Sequence, residues 1–130
     1  MSKTQVAVID DDQDDLEIME QVITGLGDDI ECSLYMYPQE AVDKIVGAPA
    51  DQRPDYIFID INMPGLTGDK CLQILRSKPD FAAVQIIMYS TSMSGKTSQQ
   101  LRDAGANFVF EKPVRIKDYA DILSDIITLA

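Results

Sequence analysis

Apolar runs and amphipathic segments alternate along the whole chain. Val6-Ala7-Val8-Ile9 is uninterrupted and apolar, which predicts a strand covered on both faces. It stops at Asp10-Asp11-Asp12. Asp14 with Glu17 three residues on has capping-box spacing and predicts a helix start there, and both Asp12 and Asp14 are candidate caps. Leu16, Met19, Ile23 and Leu26 then recur with helical period until Gly25 and Gly27 end it. Ile30, Cys32, Leu34 and Met36 alternate with polar neighbours, as in a strand at a sheet edge. Pro38 opens a second helix with Ala41, Val42, Ile45 and Val46 as its stripe, and Gly47 to Pro54 forms a loop.

Tyr56 to Ile59 is a third strand, ending at Asp60. Asp69 to Ser77 predicts a helix that turns Cys71, Leu72, Ile74 and Leu75 inward, with Pro79 beyond it. Gln85 to Tyr89 is a fourth strand, followed by Ser90-Thr91-Ser92. The helix expected over Gly95 to Ala104 has a thin stripe, Leu101 and Ala104. Phe108-Val109-Phe110 is a fifth strand, ending at Glu111-Lys112-Pro113. A last helix runs from about Arg115 to Leu129, with Ile116, Tyr119, Ala120, Leu123, Ile126 and Ile127 on one face. Five strands alternating with five helices predict an α/β fold, a doubly wound parallel sheet. The most apolar strands, the first, third and fourth, belong in the middle, which gives the order 2-1-3-4-5.

That order puts every strand's carboxyl end on one side of the sheet, where open α/β sheets bind ligands. Asp10 and Asp11 follow the first strand, Asp60 ends the third, Ser90 follows the fourth and Lys112 the fifth. Three carboxylates, a hydroxyl and an ammonium therefore converge. Clustered carboxylates need a cation, and Mg²⁺ suits oxygen ligands of this kind. Asp60, in the middle, is placed as a nucleophile that becomes an acyl phosphate.

Composition narrows the classes. The 22 acidic and 11 basic residues give a formal charge of −11, which disfavours nucleic acid or an anionic membrane as a direct partner. No apolar run reaches the ~20 residues that span a bilayer, and the start lacks a signal peptide, so a cytoplasmic protein is expected. Cys32 and Cys71 are expected to be reduced core thiols. The chain has no histidine, which excludes imidazole metal sites and histidine bases. A calcium loop starting at Asp10 fails, with Asp15 at its sixth and Gln21 at its twelfth position. Gly95-Lys96-Thr97 lacks the earlier glycine of a P-loop, because Ser90 stands there.

Four stretches, in order and at matching intervals, resemble the receiver domain of bacterial response regulators, of the single-domain CheY-like kind with a flavodoxin-like fold. They are Val8-Ile9-Asp10-Asp11-Asp12, Phe58 to Gly68, Ile87-Met88-Tyr89-Ser90, and Gly105-Ala106 with Glu111-Lys112-Pro113. The second includes a proline four and a glycine eight residues after Asp60. The resemblance covers nearly the whole chain and implies one receiver domain over residues 1–130, with no output domain. It implies a switch in two-component signalling, not an enzyme. Asp60 would be the phosphoacceptor, and Asp11 the direct Mg²⁺ ligand with Asp10 assisting through water. Asn62 would offer its backbone carbonyl to the metal. Ser90 and Lys112 would hold the phosphoryl group, and Lys112–Pro113 would be a cis peptide. The partners implied are a histidine kinase or phosphotransfer protein and a downstream protein target.

Two positions depart from the family. Val109 stands where a switching Tyr or Phe is usual, and alternation turns Phe108 and Phe110 to the opposite face. Thr91 is larger than the Ala or Gly common after the switch hydroxyl. Two other readings remain: a degenerate receiver that only binds protein, and a small aspartate-nucleophile phosphohydrolase. The latter needs a second aspartate two residues on, where this chain has Asn62.

Overall fold

The structure is a computed structural model that describes residues 3–127. Its elements run β1 (Thr4–Ile9), α1 (Gln13–Thr24), β2 (Ile30–Tyr35), α2 (Pro38–Gly47), β3 (Tyr56–Asp60), α3 (Gly68–Arg76), β4 (Gln85–Ser90), α4 (Gly95–Asp103), β5 (Phe108–Glu111) and α5 (Ile116–Ile126). The strands form one parallel sheet in the order β2-β1-β3-β4-β5, as expected.

The period-two geometry of the strands sorts their side chains into two cores. Ala7, Ile9, Ile57, Ile59, Ile86 and Met88 face Ala41 and Ile45 of α2, Leu72 and Leu75 of α3, and Leu101 of α4. Val6, Val8, Phe58, Ile87 and Tyr89 face Leu16, Met19 and Ile23 of α1 and Tyr119 and Leu123 of α5. This two-sided cover is why the central strands read as unbroken apolar runs.

Three local expectations need correction. Asp14 does not cap α1. Asp12 does, its Oδ1 accepting from the N–H groups of Asp14 at 2.9 Å and Asp15 at 3.2 Å, so Asp14 lies inside the first turn. Ile116 is 55% exposed, since the apolar contacts of α5 begin one turn later at Tyr119. Ala104 is also exposed, which leaves Leu101 as the buried residue of α4. Leu129 falls outside the described residues.

Candidate functional site

The backbone brings the strand ends into one line. Tyr89 pairs with Asp60, and Glu111 pairs with Ser90. The N–H of Asp10 donates to Tyr35 O at 3.0 Å, and that of Lys112 donates to Ser90 O at 2.8 Å. The polar side chains that follow are therefore fixed by the sheet ladder and not by a free loop. Asp10, Asp60 and Ser90 are the buried polar residues among those described, and all three lie here. Buried polar groups persist only when they are partnered, so their concentration at one point marks the site.

Asp60 is 5% exposed. Its Oδ1 accepts from the Asn62 N–H at 3.1 Å and its Oδ2 from Lys112 Nζ at 3.3 Å. Asp10 is fully buried. Its Oδ1 accepts from the Asp12 N–H at 3.0 Å, and its Oδ2 accepts from the Tyr89 hydroxyl at 2.8 Å and lies 3.4 Å from Lys112 Nζ. Asp11 is exposed, yet one carboxylate oxygen from each of Asp10, Asp11 and Asp60 lies within 4.8 Å of the others. Ser90 Oγ accepts from Asn62 Nδ2 at 2.8 Å, which ties the loop after β3 to the end of β4.

The charges here are unbalanced. Burial pushes the Asp10 carboxyl up to about 6, with the Asp60 charge adding to it; the Asp12 N–H, the Tyr89 hydroxyl and Lys112 oppose the rise. Burial also pulls the Lys112 ammonium down, but the Asp15 hydrogen bond and the charges of Asp10, Asp60 and Asp15 outweigh it and leave it raised. Burial, then the charge of Asp10, lifts the Tyr89 hydroxyl well above its ordinary value. One ammonium thus leaves Asp10 short of compensation. Three hard carboxylate oxygens at this spacing fit a divalent, oxygen-loving cation such as Mg²⁺.

The sequence-predicted residues Asp10, Asp11, Asp60, Asn62, Ser90 and Lys112 are all brought together. Thr91 is exposed just beyond β4. Val109 lies on the α2–α3–α4 side, opposite Met88 in β4. Phe110 points to the other side as alternation requires. Lys112–Pro113 is trans, against the expectation of a cis bond, as is every described peptide bond. Trans is the lower-energy isomer even before proline, by about 0.5–1 kcal/mol.

Sequence reasoning missed two residues. Tyr89 passed as a core strand residue. Its ring stacks on Phe110 with centroids 5.4 Å apart, lies 5.1 Å from Lys112 Nζ, and carries a hydroxyl into the site. Asp15 entered only as a misfit in a calcium loop, yet its Oδ2 is 2.6 Å from Lys112 Nζ. The one available signal was an excess of acid: Asp10 to Asp15 holds five aspartates, more than a metal pair and a cap require.

A doubly wound sheet with a buried aspartate at its centre, a lysine against it and two further carboxylates beside it defines a receiver-type domain. The chain belongs to the response regulator receiver domain family, whose model matches residues 6–124. Among curated proteins it is 28% identical over 113 residues to stress response regulator protein 1 of Candida tropicalis, covering 82% of this chain and 39% of that protein. It is 29% identical over 114 residues to the response regulator MprA of Mycolicibacterium vanbaalenii, covering 88% and 46%. The chain thus spans less than half of either relative. Among solved structures, chemotaxis response regulator CheY4 of Vibrio cholerae superposes with a TM-score of 0.82 at 22% identity, covering 97% of this chain and all of that one. The Mn²⁺-bound form of response regulator Rcp1 does so with a TM-score of 0.82 at 18% identity, covering 98% and 99%. No helix among the described residues is long and apolar enough to cross a membrane.

Proposed function

We propose that the chain is a phosphorylation-driven signalling switch in which Asp60 accepts a phosphoryl group from a histidine kinase or phosphotransfer protein. The observation that carries this reading is the placement of Asp60. It is buried at the end of the central strand, 3.3 Å from an ammonium and within 4.8 Å of two further carboxylates. A carboxylate oxygen of Asp60 attacks the phosphorus as the bond from phosphorus to the donor's nitrogen breaks, which leaves an acyl phosphate. Lys112 pairs with one phosphoryl oxygen and the Ser90 hydroxyl donates to another. Asp11, Asp60 and the Asn62 carbonyl would hold Mg²⁺, with Asp10 behind them. When bound, the ion neutralises carboxylate and phosphoryl charge.

A phosphohydrolase is disfavoured by Asn62. Its amide donates to Ser90 and cannot serve as the second carboxylate of such enzymes. The signal would leave by docking to another protein in the cytoplasm. Incubation with Mg²⁺ and acetyl phosphate should add one phosphoryl mass to the parent and none to Asp60→Asn. Equal labelling of the two would refute the assignment.

A further inference from the structure

One charged side chain in the site belongs to none of the stretches that carry the family resemblance. Asp15 sits in the first turn of α1, held there by its own N–H donating to the cap residue Asp12. Its carboxylate reaches Lys112 Nζ at 2.6 Å, closer than Asp60 at 3.3 Å or Asp10 at 3.4 Å. The Lys112 side chain is 8% exposed, so these carboxylates replace most of its water. An ammonium has three protons, and three carboxylates lie within reach of them. The shortest of these contacts is made to the helix and not to the nucleophile.

We propose that Asp15 is a positioning residue that holds Lys112 towards α1 in the resting site and competes with the incoming phosphoryl group for its ammonium. This rests on Asp60 being the phosphoacceptor. A phosphoryl group on Asp60 adds two negative charges beside Lys112. To engage them, Lys112 gives up part of its bond to Asp15. Occupation of Asp60 thereby loosens the link between α1 and the end of β5. The threshold for occupying the site is set partly by a residue that never touches the phosphoryl group.

The test measures binding of beryllofluoride with Mg²⁺ to the full chain by ¹⁹F NMR, in the parent, Asp15→Asn, Lys112→Ala and the double variant. Asp15→Asn keeps the shape of the side chain and leaves Lys112 two carboxylates, so the fold survives; thermal unfolding checks it. Affinity should rise about five- to twentyfold in Asp15→Asn, as for removal of a close competing charge. The same substitution should have little effect in the Lys112→Ala background. A gain of equal size in both backgrounds would mean a general field effect and overturn the proposal, as would an unchanged or weaker affinity in Asp15→Asn. Phosphoryl labelling of the parent and of Asp60→Asn with acetyl phosphate runs alongside. If the parent labels on Asp60 but Asp15→Asn gains nothing, only the role of Asp15 fails. If Asp60→Asn labels like the parent, the phosphoacceptor reading itself fails.

Discussion

The hydroxyl of Tyr89 donates to Asp10 Oδ2 at 2.8 Å, reaching from β4 across β3 to the end of β1. Both groups are fully buried. The bond supplies one of the few donors available to a buried carboxylate, so with the Asp12 N–H and Lys112 it limits the cost of the Asp10 charge.

The pH dependence follows from that. Burial raises the Asp10 carboxyl from its ordinary 3.8 to about 6. Between these values the folded protein binds more protons than the unfolded chain, so Asp10 costs stability increasingly as pH rises through the window, and fully above it. Without divalent cations, the stability of Asp10→Asn relative to the parent should therefore improve from pH 4 to 6, by about 2 kcal/mol. Tyr89→Phe removes a donor that lowers the Asp10 value and should extend the window upward. Urea unfolding at a series of pH values measures both; a flat difference for Asp10→Asn would contradict this account.

Mg²⁺ should stabilise the folded chain, since the cluster of Asp10, Asp11 and Asp60 exists only in the fold. At about 100 times its Kd the gain is ~2.7 kcal/mol. Asp11→Ala should abolish most of the Mg²⁺-dependent rise in Tm, because Asp11 is exposed and its loss costs little else. A rise as large as the parent's would place the ligands elsewhere.

Gly68 shows what a glycine eight residues after Asp60 is for. A Cβ there would collide with the backbone oxygen of Asp60 and lie 2.7 Å from Ile61 Cα, so neither flexible side chains nor rotamers can relieve it. Gly68→Ala should cost about 1–3 kcal/mol as overpacking does and should impair phosphoryl uptake by shifting Asp60. Gly47→Ala is the control. A Cβ there meets nothing within 4 Å, and the helix should gain up to about 1 kcal/mol.

Arg76 ties three separate stretches of the chain together outside the site. Its guanidinium donates to Gly105 O at 2.9 Å, to Phe81 O at 2.7 Å and to Asn107 Oδ1 at 2.6 Å; that same Oδ1 accepts from the Ile86 N–H at 2.8 Å. Arg76→Ala strips charged donors from two backbone carbonyls and should cost about 2–3 kcal/mol. The expected sign is a lower urea midpoint with an unchanged slope.

The sequence was most readable where local pattern and global fold agree. The apolar runs of β1, β3 and β4 reveal two-sided burial, and a parallel sheet then forces Asp10, Asp60, Ser90 and Lys112 onto one edge. It was least readable where several residues compete for one role. Five aspartates between Asp10 and Asp15 share much the same capping tendency, so Asp12 and Asp14 could not be told apart by type. The reach of Asp15 to Lys112 depends on the rotation of α1 relative to β5, which no local spacing encodes. Tyr89 looked apolar because its ring is; that its hydroxyl crosses β3 is a property of the sheet. The state of the Lys112–Pro113 bond likewise rests on an energy difference too small for the dipeptide to settle.

Val109 faces the α4 side without the ring usual there, while the aromatic pair Tyr89 and Phe110 occupies the other face of the sheet. Hydrogen bonds tie the segment from Ser90 to Gly95 to the ends of β3 and β5. Asn62 Nδ2 donates to Ser90 Oγ at 2.8 Å, the Lys112 N–H donates to Ser90 O at 2.8 Å, and the Met93 N–H donates to Glu111 Oε1 at 3.0 Å. The helix beyond it buries Leu101 alone, so its local stability should be low. A new dianion on Asp60 that recruits Ser90 and Lys112 would therefore bear on a lightly anchored part of the fold. Amide hydrogen exchange with and without beryllofluoride and Mg²⁺ should change most over residues 90–104 and near Lys112. Glu111→Gln weakens the Met93 tie and should speed exchange over residues 92–95 in the resting protein. Changes confined to α1 and α2, or no effect of Glu111→Gln, would show that the motion is carried by another part of the fold.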